Sequence, residues 1–265
     1  MQPVQRLACL AVLLAGCAPA AADTVRLPPD HGGFDYQLGG ATDVPGLTVV
    51  ARDATDRPLP GAYNVCYVNG FQTQPGDAAD WLAHRRDALL EDASGQPVTD
   101  PDWPDEYVLD PSTPEQRATV VDAMAPVIAG CAAQGYAAVE LDNLDTFTRF
   151  PQIARAGAFE LARSYIELAH AHGLAVGQKN AAEYASALHA LGFDFAVTEE
   201  CAAYGECGAY TKEYGRRVLQ IEYTDNLPEP FDRVCAAANR APLTILRDRD
   251  LVPAGAPGHV YRQCP

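Results

Sequence analysis

Residues 137–145 read Ala137-Ala138-Val139-Glu140-Leu141-Asp142-Asn143-Leu144-Asp145. A short apolar run that ends in acids predicts a strand over 137–142 with a polar C-terminal end. Its neighbours set the fold. Upstream, Ser112 and Glu115 have capping-box spacing with Pro114 in the first turn, and Val120, Met124, Val127, Ile128 and Cys131 recur at helical intervals before Gly135. That pattern predicts a helix over 113–134. Downstream, a helical pattern over 153–172 stops at Gly173 and a second strand follows over 174–179. Strand, helix and strand in this order form a right-handed unit with parallel strands.

The same reading carried outward predicts strands at 34–39, 47–53, 62–69, 194–200, 217–223 and 242–248 as well, and helices at 77–91, 181–191, 208–214 and 229–240. Eight strands point to an α/β fold, a single (β/α)8 TIM barrel. The first two connections are too short for helices, so the barrel is expected to be degenerate there. A doubly wound sheet is the alternative, but neither a G-x-G-x-x-G nor a P-loop supports it.

With 265 residues, 48% hydrophobic and 20% charged, the chain can bury one sizeable core and is not intrinsically disordered. Nineteen Lys plus Arg against 35 Asp plus Glu give a net charge of -16, which repels a phosphate backbone and excludes nucleic acid as the natural partner. A cationic partner would be attracted, and a monomer is expected.

Arg6 and the apolar run Leu7 to Ala15 form an export signal too short to span a bilayer, ending in Leu14-Ala15-Gly16-Cys17. Residues 1–17 are read as a lipoprotein-type signal with Cys17 as the lipidation site, 18–32 as a tether and 33–265 as the folded domain. Cleavage after Ala18-Pro19-Ala20 is the alternative. Either route exports the protein, lipid-anchored to the cell envelope or secreted, and membrane contact is by the lipid anchor alone. Cys66, Cys131, Cys201, Cys207, Cys235 and Cys264 remain, an even set that reads as three disulfides, with Cys201 and Cys207 closing a short loop. They lack CxxC spacing and no HxxxH accompanies them, so neither metal nor cofactor is expected.

Barrel enzymes carry their chemistry at the C-terminal ends of the strands. Here those ends are Glu140-Leu141-Asp142-Asn143-Leu144-Asp145, Gln178-Lys179-Asn180, Thr198-Glu199-Glu200, Glu222-Tyr223-Thr224-Asp225 and Arg247-Asp248. Alternation, with the apolar residues facing the helices, turns Glu140, Asp142, Lys179 and Glu222 inward and brings Tyr67 and Asn69 to the mouth if Cys66 bridges Cys131. In the sixth strand it turns Phe195 and Val197 outward and selects Glu200, unless a bulge reverses the choice in favour of Glu199. Several carboxylates converging on one mouth suit glycoside hydrolysis, which needs one acid protonated and one ionised. None of the six histidines falls at a predicted strand end and no G-x-S-x-G occurs, which argues against zinc hydrolysis and acyl transfer. A non-catalytic carbohydrate-binding barrel at the cell surface is the rival reading.

Phe34-Asp35-Tyr36-Gln37-Leu38-Gly39-Gly40, Tyr63-Asn64-Val65-Cys66-Tyr67, Glu140-Leu141-Asp142-Asn143-Leu144-Asp145, Gln178-Lys179-Asn180 and Glu199-Glu200-Cys201 together resemble glycoside hydrolase family 114, the endo-α-1,4-polygalactosaminidase family. The resemblance implies a catalytic Asp after the fourth strand, carried onto Asp142, and a catalytic Glu after the sixth, carried onto Glu199 with Glu200 in reserve. It further implies a retaining mechanism, with Asp142 as nucleophile and Glu199 as acid/base. Where many members have Glu-Pro-Asp-Asn, this chain has Glu140-Leu141-Asp142-Asn143. The expected substrate is an α-1,4-linked galactosamine polysaccharide, cationic when deacetylated, with a neutral α-glycan as the alternative. Gln37, Tyr67, Asn143, Asp145, Lys179, Asn180, Glu200, Glu222, Tyr223 and Asp248 are the expected substrate-binding residues. Trp81 and Trp103 fall outside the strand ends and are expected to pack.

Overall fold

The computed structural model describes residues 25–265, so the signal segment with Cys17, and residues 18–24 of the tether, lie outside the described residues. Strands β1 (Gly33–Tyr36), β2 (Leu47–Asp53) and β3 (Tyr63–Asn69) follow one another with no helix between them. A long segment holding α1 (Ala78–His84) leads to α2 (Pro114–Gln134). Then come β4 (Ala138–Asp142), α3 (Thr146–Arg149), α4 (Arg155–Ala171), β5 (Ala175–Lys179), α5 (Ala185–Leu191), β6 (Phe195–Glu199), α6 (Cys201–Tyr204) and α7 (Cys207–Tyr214). The chain ends with β7 (Val218–Tyr223), α8 (Phe231–Ala236), β8 (Leu243–Arg247) and β9 (Tyr261–Gln263).

β1 to β8 form a parallel sheet in sequence order, nearly closed into a barrel, and β9 runs antiparallel along β8. The expected TIM barrel, bare of helices after β1 and β2, is what forms. β9 is a finding, since its three residues carry no strand periodicity of their own. It closes the seam through side chains. Phe34 donates its N–H to Gln263 Oε1 at 3.0 Å, Tyr261 donates its hydroxyl to the Phe34 carbonyl at 2.9 Å, and Gln263 Nε2 donates to the Gly32 carbonyl at 2.7 Å. Behind them the buried Arg247 of β8 pairs with Asp35 and with the Tyr36 carbonyl of β1.

The barrel interior is filled by Phe34, Tyr36, Val49, Ala51, Tyr63, Val65, Ala138, Ala175, Phe195, Val197, Leu219, Ile221, Leu243 and Ile245. The outer layer packs α2 and α4 on the sheet through Val120, Met124, Ile128, Leu161 and Tyr165. The Cys66–Cys131 disulfide ties the outward face of β3 to α2, and Cys201–Cys207 and Cys235–Cys264 complete the three bridges.

Several local expectations are corrected. The α2 cap is Thr113 with Gln116, reciprocally bonded, rather than Ser112 with Glu115. The helices expected over 77–91 and 229–240 shorten to α1 and α8, and residues after α1 instead make isolated antiparallel bridges such as Leu89 to Leu109. Phe195 and Val197 of β6, and Leu219 and Ile221 of β7, face inward, not outward. A small barrel fills its own centre with apolar side chains, so polarity alone does not mark the inner face. Glu222 therefore points to the helix side, where its carboxylate accepts from Ala202 N–H at 2.9 Å and Gln220 Nε2 at 2.8 Å.

Gln263→Ala removes two seam hydrogen bonds and leaves the Phe34 N–H unpaired. It is expected to destabilise the fold by about 1–3 kcal/mol in urea denaturation.

Candidate active site

At the C-terminal mouth of the barrel six strands contribute to a single cluster, Tyr36, Tyr67, Asp142, Lys179, Glu199 and Tyr223, with Glu140 of β4 beneath them. Lys179 lies at its centre, 2% exposed. Its Nζ is 3.0 Å from Glu140 Oε1, 3.3 Å from Asp142 Oδ2, 3.0 Å from Glu199 Oε2 and 3.1 Å from the Tyr36 hydroxyl. The rings of Tyr36 and Tyr67 flank the ammonium at 5.5 and 5.6 Å. Burial alone would lower its pKa, but Asp142, Glu199, Tyr36 and Glu140 outweigh that and hold the ammonium charged.

Asp142 is built as an ionised carboxylate. Oδ2 accepts from the Tyr67 hydroxyl at 2.6 Å, and Oδ1 accepts from the Asn143 N–H at 2.7 Å. Burial pushes its pKa upward, yet Lys179, the Tyr67 hydroxyl and the Asn143 N–H prevail and hold the carboxyl below its ordinary value. Glu199 takes the Tyr223 hydroxyl on Oε1 and Lys179 on Oε2. Burial raises the three phenols, so Tyr36, Tyr67 and Tyr223 remain protonated donors.

Glu199 rather than Glu200 faces this cluster because it shares the inward face of β6 with Phe195 and Val197, and the backbone turns directly after it. Three strand ends pass straight into the left-handed region, at Asn143 (φ 59°), Asn180 (φ 46°) and Glu200 (φ 60°). Asn tolerates this conformation, whereas Glu adopts it only when held. Glu200 is held by Arg249, at 3.0 and 2.7 Å, and Arg249 also binds Asp225 and lies over the Tyr223 ring at 4.3 Å. Alternation itself holds along β6, where Glu199 follows Phe195 and Val197 on the inward face, and the turn at Glu200 then takes that side chain to Arg249.

The other expected residues separate by location. Asn143 bonds Asn69 and Arg149, fixing the turn after Asp142, and Arg149 also pairs with Asp145 at 3.4 Å. Asn180 Oδ1 accepts the Glu199 N–H at 2.9 Å and sets the strand end. Gln37 is buried against Asp35 and Arg52, Asp248 accepts from Val252 and Val260 N–H in the loop before β9, and Glu222 lies behind α6; these three do not reach the cluster. Tyr36 and Glu140 belong to it and were not among the expected binding residues. Tyr36 could be found from its position at the end of β1, two residues after the inward Phe34. Glu106, from the long segment after β3, accepts from Asn69 at 2.7 Å, and no sequence pattern marks it. Trp81 is buried as expected, but Trp103 is 61% exposed.

A groove runs from Glu199 past Asp145, Asn180, Glu183 and Glu206 to Tyr204 and Arg249. A larger hollow at the opposite end of the barrel, lined by Asp30, Arg216 and Arg240, is remote from these acids, and its arginines are engaged by Asp30 and by backbone carbonyls. Among the described residues the one grouping of potential metal ligands is Cys201, Cys207 and Glu222, whose sulfurs are joined in a disulfide and are not thiolates.

The comparisons decide the family. The profile of glycoside-hydrolase family GH114 matches residues 15–265. The chain belongs to family GH114. Among solved structures it is similar to Aspergillus fumigatus Ega3, crystallised as a complex with galactosamine, at 19% identity and a TM-score of 0.69, covering 91% of this chain and 98% of that one. It is also similar to the glycoside hydrolase domain of PelA from Pseudomonas aeruginosa, at 18% identity and a TM-score of 0.56, covering 84% and 97% respectively. No curated protein sequence matches. As a GH114 protein it is a glycoside hydrolase, and the Lys179 cluster is the candidate site for that hydrolysis.

Lys179→Met leaves Asp142, Glu140 and Glu199 without their cation. It is expected to destabilise by about 3–5 kcal/mol near neutral pH. The loss should shrink as pH falls, because the stranded carboxylates then protonate. Unfolding at pH 7 and pH 4 checks both.

Proposed function

We propose that this GH114 protein cleaves α-1,4-linked galactosamine polysaccharide, internally and with retention of configuration, using Asp142 as nucleophile and Glu199 as acid/base. One observation carries the mechanism. Lys179 touches both carboxylates, and its arms of 3.3 and 3.0 Å set an upper limit of about 6.3 Å on the distance between the two bound oxygens. Inverting enzymes need roughly 6.5–9.5 Å for an intervening water, and retaining ones about 5–5.5 Å. In the first step an Asp142 oxygen bonds the anomeric carbon while the glycosidic C–O bond breaks and the Glu199 proton passes to the leaving oxygen. In the second, water attacks that carbon, gives its proton to Glu199 and releases Asp142.

The substrate reading rests on charge and shape. The groove beside Glu199 carries Asp145, Glu183, Glu200 and Glu206, a lining that attracts an amino-sugar cation. Among the described residues the exposed large hydrophobic side chains are Trp103 and Tyr204, and both lie in segments after barrel strands, β3 and β6 respectively. Exposed rings in the segments after two barrel strands suit stacking on sugars of a chain that continues past the cut. Ega3 with galactosamine supports the same sugar class. Export and lipid attachment at Cys17 belong to this reading, and three disulfides support an oxidising location.

Wild-type residues 18–265 incubated with α-1,4-galactosamine oligomers are expected to give shorter products by mass spectrometry, with the α-anomer first in proton NMR. Asp142→Asn and Glu199→Gln should abolish turnover while leaving the fold intact. Products that appear first as the β-anomer would overturn the retaining assignment. Trp103→Ala and Tyr204→Ala should raise KM for long oligomers more than for short ones, and added salt should weaken binding. Salt-insensitive kinetics would favour a neutral glycan.

A further inference from the structure

Glu140 is the carboxylate that the mechanism above leaves without a task. It sits on β4 two residues before Asp142, fully buried beneath Lys179. Oε1 accepts from the Tyr36 hydroxyl at 2.7 Å and from Lys179 Nζ at 3.0 Å. Oε2 is buried with no hydrogen-bond partner. The residue level with Glu140 on β5 is Gly177, and the space its side chain would take is filled by the Phe195 ring, so no donor can come from that side. The groups that face Glu140 are Tyr36 from β1, Tyr67 from β3, Asp142 from β4 and Lys179 from β5, with Glu199 of β6 across the ammonium.

Charge counting gives this carboxyl a role, which rests on the assignment of Asp142 and Glu199 above. An ammonium has three N–H donors, yet Lys179 has four acceptors within 3.3 Å. Before the first step Asp142 is ionised and Glu199 protonated. After it Asp142 is an ester and Glu199 is ionised. At both stages one negative charge faces Lys179, provided that Glu140 is neutral. An ionised Glu140 would claim the ammonium permanently and leave the moving charge uncompensated in a buried site.

We infer that Glu140 is a positioning residue that keeps a proton on Oε2 in the working enzyme, so that Lys179 follows a single negative charge as it passes between Asp142 and Glu199. Oε1 already receives two donors and has no place for the proton, whereas Oε2 has no donor to support a charge. Burial, chiefly, with a lesser push from Asp142, raises this carboxyl to about 7 against the pull of Lys179 and Tyr36. A carboxyl raised on folding binds its proton more tightly in the native state. Its contribution to stability is therefore greatest at low pH and is lost as pH rises from about 4.5 through about 7.

The test begins without substrate. In protein labelled with 13C at the glutamate side-chain carboxyls, one signal should titrate with a midpoint above 6, vanish in Glu140→Gln and persist in Glu199→Gln. Tyr36→Phe, which removes a donor to the ionised form, should move that midpoint upward, and it serves if Glu140→Gln does not fold. With substrate, the alkaline limb of kcat/KM should move up by about one pH unit or more in Glu140→Gln. A Glu140 signal with an ordinary midpoint, a midpoint that falls in Tyr36→Phe, or an unmoved alkaline limb would overturn the inference. If wild-type enzyme cleaves no galactosamine oligomer, the substrate reading fails, while the carboxyl titration still decides where the proton resides.

Discussion

One buried ammonium organises this molecule. The chain has only two lysines among its 19 basic residues, and one of them, Lys179, stands where three carboxylates and a phenol converge. Removing a charge from water costs several kcal/mol, and only close, well-bonded counter-charges offset that. Lys179 therefore has to be met at once by residues from β1, β4 and β6, which is possible only if the strands stand around a common axis in the observed register. A guanidinium would impose a planar fork on its partners, whereas an ammonium is a compact point charge that several acids can share. The choice of lysine fits a site in which negative charge has to move.

The barrel was legible because its signals are local. The Gly135, Gly173 and Gly192 stops, the long helical pattern of α2 and α4, and the run of short apolar segments each state their element without reference to the rest. Asp142 and Lys179 were legible for the same reason, since Val139 and Leu141 of β4 and Val176 of β5 face the helices and leave Asp142 and Lys179 to the inside. β6 and β7 defeated the same rule. Phe195, Val197, Leu219 and Ile221 fill the barrel centre, and the residues turned to the helices include Gln220 and Glu222. Burial on both faces erases the contrast that alternation depends on.

The choice between Glu199 and Glu200 turned on which face of β6 is inward, and the turn at Glu200 then directs the second acid elsewhere. The left-handed conformation at Glu200 depends on Arg249, which is distant in sequence, and on a ladder bond from the Glu200 N–H to the Ile221 carbonyl at 2.7 Å. No propensity of Glu announces it. Motif resemblance pointed to Glu199 because a motif carries the whole local conformation with it. Glu106, Asp100 and Arg149, which support Asn69 and Asn143 from outside the sheet, were invisible for a related reason. Their partners lie tens of residues away in loops without periodicity.

The seam between β8 and β1 has a kinetic meaning. Gly32 and Phe34 meet their partner Gln263 across 231 and 229 residues of chain, longer loops than the strand-to-strand neighbours elsewhere have to close. Neighbouring strands elsewhere can associate as each emerges, but β1 keeps one edge open until the last strand arrives. Pairings of such high sequence separation form late and slow the whole reaction. During that interval an uncovered strand edge is open to pairing with another chain. The short β1, only four residues, limits how much edge is offered while the molecule waits for its closure.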